Sequence, residues 1–286
     1  MIRLMRLNRL TPTPGQQTIT VIRALEEMLS DINRALTLQA EQQLMNYKAW
    51  SIEVVERMSM VITPSAIEDL IQTRRYWLLQ EQEVRSPLPH GVVDIVRAEL
   101  TSLQKVLTEE RGYFLALNKF WGYRPISYVI ALDTNAFLHR ATPFHQEDWI
   151  AYLKAIFGEH MVNEVHMFIP MQIIRELDRQ KRTQKNITVG DTSEPLRTRA
   201  RTTIRTITEL FASSPNMMAE LVPDRVRIEL VLDNLDHHRL DDPDSEIVDR
   251  LLAVQGVINR PIHFLSEDAF PRFLAQSAGL QVLPVP

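Results

Sequence analysis

From residue 128 onward the chain alternates short apolar runs with amphipathic stretches, and few architectures accept that alternation. Tyr128, Val129, Ile130, Ala131 and Leu132 form one uninterrupted run, and Met167, Phe168 and Ile169 form another. Residues 262–265 and 281–283 read as two further short strands, and residues 226–232 alternate in the manner of a strand nearer an edge. Between them, residues 148–157, then Ile173, Ile174 and Leu177, then Ile247, Val248, Leu251 and Leu252 fall at helical spacing. Strands apolar on both sides are buried on both faces, which calls for a parallel sheet covered by helices. The prediction is an α/β fold with an open parallel sheet of about five strands flanked by helices. In such sheets functional groups collect at the carboxyl ends of the strands.

The first 122 residues follow another period and predict an all-α N-terminal domain. Residues 16–63 contain neither glycine nor proline, and Ile22, Leu25, Leu29, Ile32 and Leu36 recur in steps of three and four. Thr63-Pro64-Ser65 breaks the run, and Ser65 with Glu68 suggests a capping box for a second helix. That helix would send Ile67, Leu70, Ile71, Trp77 and Leu78 inward. A third stretch over 92–117 would bury Ile95, Leu100, Leu103 and Leu107. Gly122-Tyr123-Arg124-Pro125 ends this half, giving domains 1–122 and 126–286. The seam at 22–36 fits the interior of one bundle, and would equally serve a homo-oligomer or a protein partner. No run of 18 apolar residues occurs, so no membrane span is predicted. Residues 1–10 lack the apolar core of a signal peptide, which favours a cytoplasmic protein.

Composition narrows the chemistry. With no cysteine among 286 residues, disulfides, thiol catalysis, iron–sulfur clusters and cysteine-held zinc are excluded. None of the eight glycines forms a dinucleotide or P-loop pattern. Acids, however, stand at successive strand–helix junctions: Asp133 after the first strand, Glu176 in the helix after the second, the group 241–246 before a late helix, and Glu267-Asp268 after the fourth. Carboxylates gathered on one rim repel one another unless a cation sits among them. All-oxygen ligation suits Mg²⁺ or Mn²⁺, and the matching chemistry is attack of a metal-activated water on a phosphodiester.

Four blocks then resemble a known family, the PIN-domain nucleases. They are Val-Ile-Ala-Leu-Asp-Thr-Asn ending at Asn135, Phe-Ile-Pro-Met-Gln-Ile-Ile-Arg-Glu-Leu-Asp ending at Asp178, Asp-Pro-Asp-Ser-Glu-Ile ending at Ile247, and Phe-Leu-Ser-Glu-Asp ending at Asp268. The likeness covers about residue 127 to the C-terminus. It implies a five-stranded parallel sheet and Mg²⁺- or Mn²⁺-dependent cleavage of single-stranded or structured RNA. Carried over by position, Asp133, Glu176, Asp244 and Asp268 become the metal-binding and catalytic acids, with Asp242 a weaker claimant to the third place. Asn135 and Ser266 become groups that orient carboxylates, Ser266 standing where the family commonly has threonine. The N-terminal half and the insertion at 185–194 have no counterpart in the smallest members.

The net charge of −4 hides a polarised domain. Between Arg175 and Arg205 nine basic residues face four acids, whereas eight acids between Glu229 and Asp249 face Arg239 alone. Arg197, Arg201 and Arg205 share one helical face, and with Arg179 and Arg182 they are the expected contacts to RNA phosphates. Rival readings fail on particular residues: Asn135 removes the D-x-D of aspartyl phosphatases, and no G-x-S-x-G elbow occurs. His237 and His238 are expected to be exposed loop residues. Two alternatives stay open, a catalytically silent PIN-fold scaffold that binds RNA or protein, and a nuclease for single-stranded DNA.

Overall fold

Hydrophobic runs too short for helices become the centre of a six-stranded sheet in the computed structural model. It describes residues 10, 12–13, 16–84, 87–122, 127–158, 162–189, 192–214, 217–233 and 237–284. The anticipated break at residues 123–125 and the reading of residues 1–9 lie outside them. The chain divides into two compact units, one over residues 122–255 and 260–286, the other running up to residue 121 and including 256–259.

In the first unit the chain runs β1 (Ser127–Leu132), α6 (Thr134–His139), α7 (Trp149–Phe157), β2 (Glu164–Pro170) and α8 (Met171–Gln180). The hairpin β3 (Asn186–Val189) and β4 (Thr192–Pro195) leads into α9 (Leu196–Phe211), β5 (Met218–Val222) and β6 (Val226–Val231). Then come α10 (Pro243–Ile258), β7 (Ile262–Leu265), α11 (Ala269–Ala278) and β8 (Gln281–Val282). Strand order is β5-β6-β2-β1-β7-β8. β6, β2, β1, β7 and β8 are parallel, and only β5 runs antiparallel, against β6. β5 was not anticipated: Met-Ala-Glu-Leu-Val is short, and only Met218 of it is buried. β5 is the edge strand itself, and residues 226–231, read as a strand nearer an edge, lie next to it as β6. Val129, Ile130, Ala131, Leu132, Phe168, Ile169, Phe264 and Leu265 are all buried, as burial on both faces requires.

The second unit is all-helical in its strand-free span: α1 (Thr18–Leu36), α2 (Ala40–Met58), α3 (Pro64–Leu70), α4 (Arg74–Gln80) and the long α5 (His90–Gly122). Two helical phases differ from the sequence reading. In α1 the buried stripe is Val21, Ile22, Leu25, Met28, Ile32 and Ala35, so Met28 and Ala35 replace the expected Leu29 and Leu36. Further on, the chain breaks at Ile71–Thr73, and Thr73 accepts the Tyr76 N–H to start a new helix, α4. The break resets the phase: Tyr76 and Leu79 are buried, while Trp77 and Leu78 are 57% and 43% exposed. Ser65 makes no cap bond, because Thr63 holds the N-cap position of α3. No helix among the described residues is long and apolar enough to cross a membrane.

Candidate metal and active site

Parallel strands end on one side of a sheet, so whatever follows β6, β2, β1 and β7 meets on a common rim. The chain leaves β1 toward β2 on one side and later returns to β7 on the other, which makes β1/β7 the topological switch point. Asp133 follows β1 there, and Ser266 to Asp268 follow β7. The next crossovers bring Glu176 on α8 after β2 and Asp244 in the first turn of α10 after β6.

Asp133 is 3% exposed and serves two ends at once. One carboxylate oxygen accepts the Ala136 N–H at 2.6 Å, capping α6, and the other accepts the Ser266 hydroxyl. Its own N–H donates to the Leu265 carbonyl at 3.0 Å, which ties the ends of β1 and β7 together. Burial pushes its pKa up to about 6; the bonds from Ser266 and Ala136 oppose that rise, and Asp268 and Asp244 add to it. Asp244 is half-buried and also lies at about 6, raised first by burial and then by Asp242, Glu176 and Asp268. These mutual influences bring Asp133, Glu176, Asp244 and Asp268 into one electrostatic cluster.

The polar residues around the acids have definite tasks. Asn135 donates its side-chain amide to Asp268. Ser266 is fully buried, donates to Asp133 and accepts the Asp268 N–H at 3.1 Å, so one hydroxyl links two acids. Thr134 donates its hydroxyl to Glu176, and Gln172 donates to the other Glu176 oxygen at 3.0 Å. Neither Thr134 nor Gln172 had been singled out from the sequence; the only signal was the place of Thr134 between Asp133 and Asn135. Asp242 is occupied otherwise, since it accepts the Ser245 N–H at 2.8 Å and the Ser245 hydroxyl at 2.6 Å as the cap of α10. The Asp244 carboxylate accepts no hydrogen bond among the described residues.

A second group, Asp233, His237 and Glu246, has ligand-type atoms within 4.8 Å of one another. This corrects the exposed reading of His237, whose side chain is 9% exposed and lies 2.7 Å from Glu246. The group is already neutralised from within. Asp233 accepts from Arg239 at 2.6 and 3.0 Å and from Arg175 at 3.4 Å, and Glu246 also accepts the Leu240 N–H at 2.9 Å. By contrast, no Lys, Arg or His forms an ion pair with Asp133, Glu176, Asp244 or Asp268 among the described residues. Four carboxylates with two raised pKa values and no basic partner fit a hard divalent cation. The donor set is all oxygen, as Mg²⁺ or Mn²⁺ prefers.

The basic shoulder is divided in its use. Arg199 points inward, donating to the Leu138 and Arg140 carbonyls and to Glu194, and thereby fastens α9 to the end of α6. Lys181 pairs with Asp178, and Arg175 with Asp233. Arg179, Arg182, Arg197, Arg201 and Arg205 are exposed, and Arg205 has only a loose 3.8 Å pair with Glu209. α9 packs against α6 and α8, the helices that follow Asp133 and carry Glu176.

Compared with known proteins, residues 130–285 match a family model described as PIN domain. Neither the curated proteins nor the solved structures give a significant match to the chain.

Proposed function

Because the chain belongs to the PIN-domain family, whose members are generally nucleases, we propose that it is a Mg²⁺- or Mn²⁺-dependent endoribonuclease. The observation that carries the reading is the convergence of Asp133, Glu176, Asp244 and Asp268 on one rim without a basic partner. Asp133, Asp244 and Asp268 would hold the cation directly. Glu176, kept in place by Thr134 and Gln172, would complete the shell and orient the attacking water. When bound, the metal supplies a water acidic enough to deprotonate near neutral pH and neutralises charge on the phosphate. Asn135 and Ser266 keep the lone pairs of Asp268 and Asp133 aimed, a role whose loss typically costs about 10–100-fold in metal affinity or activity. Exposed Arg179, Arg182, Arg197, Arg201 and Arg205 would contact backbone phosphates to either side of the scissile bond.

Asp242, held by Ser245 as the cap of α10, would stay outside the metal's ligands. The helical unit would regulate the nuclease or provide an oligomer contact through its packed helices. The test is hydrolysis of end-labelled single-stranded RNA and DNA with Mn²⁺, with EDTA, and with Asp133→Asn. Products ending in 5′-phosphate and 3′-hydroxyl, lost on chelation and in the variant, are expected. RNA cleavage that survives both would overturn the mechanism.

A further inference from the structure

The helix that follows Asp268 borders a groove that none of the four carboxylates lines. Asp268 ends the β7 junction, and α11 begins at the very next residue. α11 carries Phe270 and Phe273, exposed to 60% and 72%, three residues apart and so on one face of the helix. Large apolar side chains on a solvated helix are ordinarily turned inward; here Pro271 and Ala275 take the buried positions and both rings stand outside. Gly279, in a left-handed conformation at φ 99°, ends α11 and turns the chain back into edge strand β8. Between the helix and that edge lies a cavity of about 680 Å³, lined by Ala269, Arg272, Phe273, Gln276, Leu280 and Pro284 among others. Its Ala269 end adjoins Asp268, and Phe273 stands about 7 Å further along the helix axis. Arg272 forms no ion pair among the described residues.

We propose that Phe273, with Phe270 beside it, is a base-stacking subsite for the unpaired nucleotide flanking the scissile phosphate. This rests on the nuclease reading above and adds to it the side chains that would take an unpaired base. A base presents a π-face of any sequence, which an exposed phenyl ring accepts without discriminating. Arg272 supplies a cation for the adjoining phosphate, and the cavity lies within the volume range of small-ligand sites. A base-paired helix keeps its bases stacked on one another and cannot offer one to Phe273. The place of Ala269 next to Asp268 in the chain and the unpaired Arg272 favour nucleic acid over an apolar protein segment.

The experiment measures anisotropy of a fluorescein-labelled single-stranded RNA decamer with Ca²⁺ in place of Mn²⁺, together with cleavage in Mn²⁺. It compares wild type, Phe273→Ala, Phe270→Ala/Phe273→Ala and Phe273→Trp. Phe273→Ala is expected to raise Kd about 5- to 150-fold, the worth of one base–aromatic stack. Phe273→Trp, which keeps an aromatic face, is expected to retain binding. The Phe273→Ala loss should vanish for an RNA whose stacked nucleotide, found by scanning single abasic positions, lacks its base. If wild type cleaves RNA and Phe273→Ala binds it equally well, the subsite is overturned while the nuclease stands. If wild type binds RNA through Phe273 and cleaves neither RNA nor DNA, the base-stacking contact stands, while its place beside a scissile phosphate falls with the nuclease reading. Unchanged RNA affinity with an altered sedimenting mass would overturn the subsite in favour of a protein-docking face.

Discussion

Replacing Asp133 by Asn should stabilise the metal-free protein while abolishing its response to metal. Asp133 is buried with a pKa of about 6, against an ordinary 3.8. Between about pH 4 and 6 the folded protein therefore keeps a proton that the unfolded chain has released, and stability falls as pH rises through that window. At pH 7 the whole cost is present, about 3 kcal/mol for a rise of this size. Asn removes the charge yet is as good an N-cap as Asp, so the Ala136 bond that starts α6 survives. The Ser266 hydroxyl must turn to accept from the new amide instead of donating, at a cost of about 1 kcal/mol. The net gain is about 2 kcal/mol, or about 4–8 °C in the melting temperature of a unit this size. Mn²⁺ at a hundred times its Kd would stabilise wild type by about 2.7 kcal/mol and leave the variant where it was, reversing their order. Differential scanning calorimetry at pH 7 with EDTA, at pH 7 with Mn²⁺, and at pH 4.5 with EDTA covers the three cases. At pH 4.5 the advantage of the variant should shrink, since Asp133 is then protonated. A variant that melts below wild type in EDTA at pH 7, or that gains as much from Mn²⁺, would refute the reasoning.

Other perturbations separate the remaining roles. Thr134→Val removes the hydroxyl that holds Glu176 and is expected to lower kcat/KM about 10–100-fold with little change in melting temperature, checked by steady-state cleavage and calorimetry. Ser266→Ala deletes the donor that lowers the Asp133 pKa, so the acid limb of the Mn²⁺-binding profile should move to higher pH in a calorimetric titration series. Asp242→Ala should cost about 1 kcal/mol through loss of the α10 cap, while Mn²⁺ affinity stays near wild type. Reversing Arg197, Arg201 and Arg205 to Glu should weaken RNA binding and reduce the slope of log K against log salt by about 2, about 0.7 per phosphate contact. An unchanged slope would remove α9 from the interface.

Legibility followed burial. The apolar runs within β1, β2 and β7 stand out in the sequence because both faces of these strands are covered, which also buries His166 and His263. The β3–β4 hairpin is half-polar and β5 is short with one buried residue, and their pairing partners, not their composition, make them strands. The helical phase after Thr73 depended on a single side-chain bond to Tyr76, which moved Trp77 outward and Leu79 inward. At the site, residue types and order could be read, but contacts across the fold could not. The bond from Thr134 to Glu176 spans 42 positions, and that from Ser266 to Asp133 spans 133. Likewise, adjacency of His237 and His238 hid the fact that Glu246, nine residues on, draws the first of them inward.

The central claim is that the cation belongs to the unpaired carboxylate quartet and not to the internally neutralised group at His237. Titration of Mn²⁺ into the metal-free protein, followed by calorimetry, tests it directly when wild type is compared with Asp133→Asn, Asp244→Asn and His237→Gln. Binding that is lost in both aspartate variants and kept in His237→Gln is predicted. Binding that persists without Asp133 and Asp244 but disappears with His237 would contradict the account.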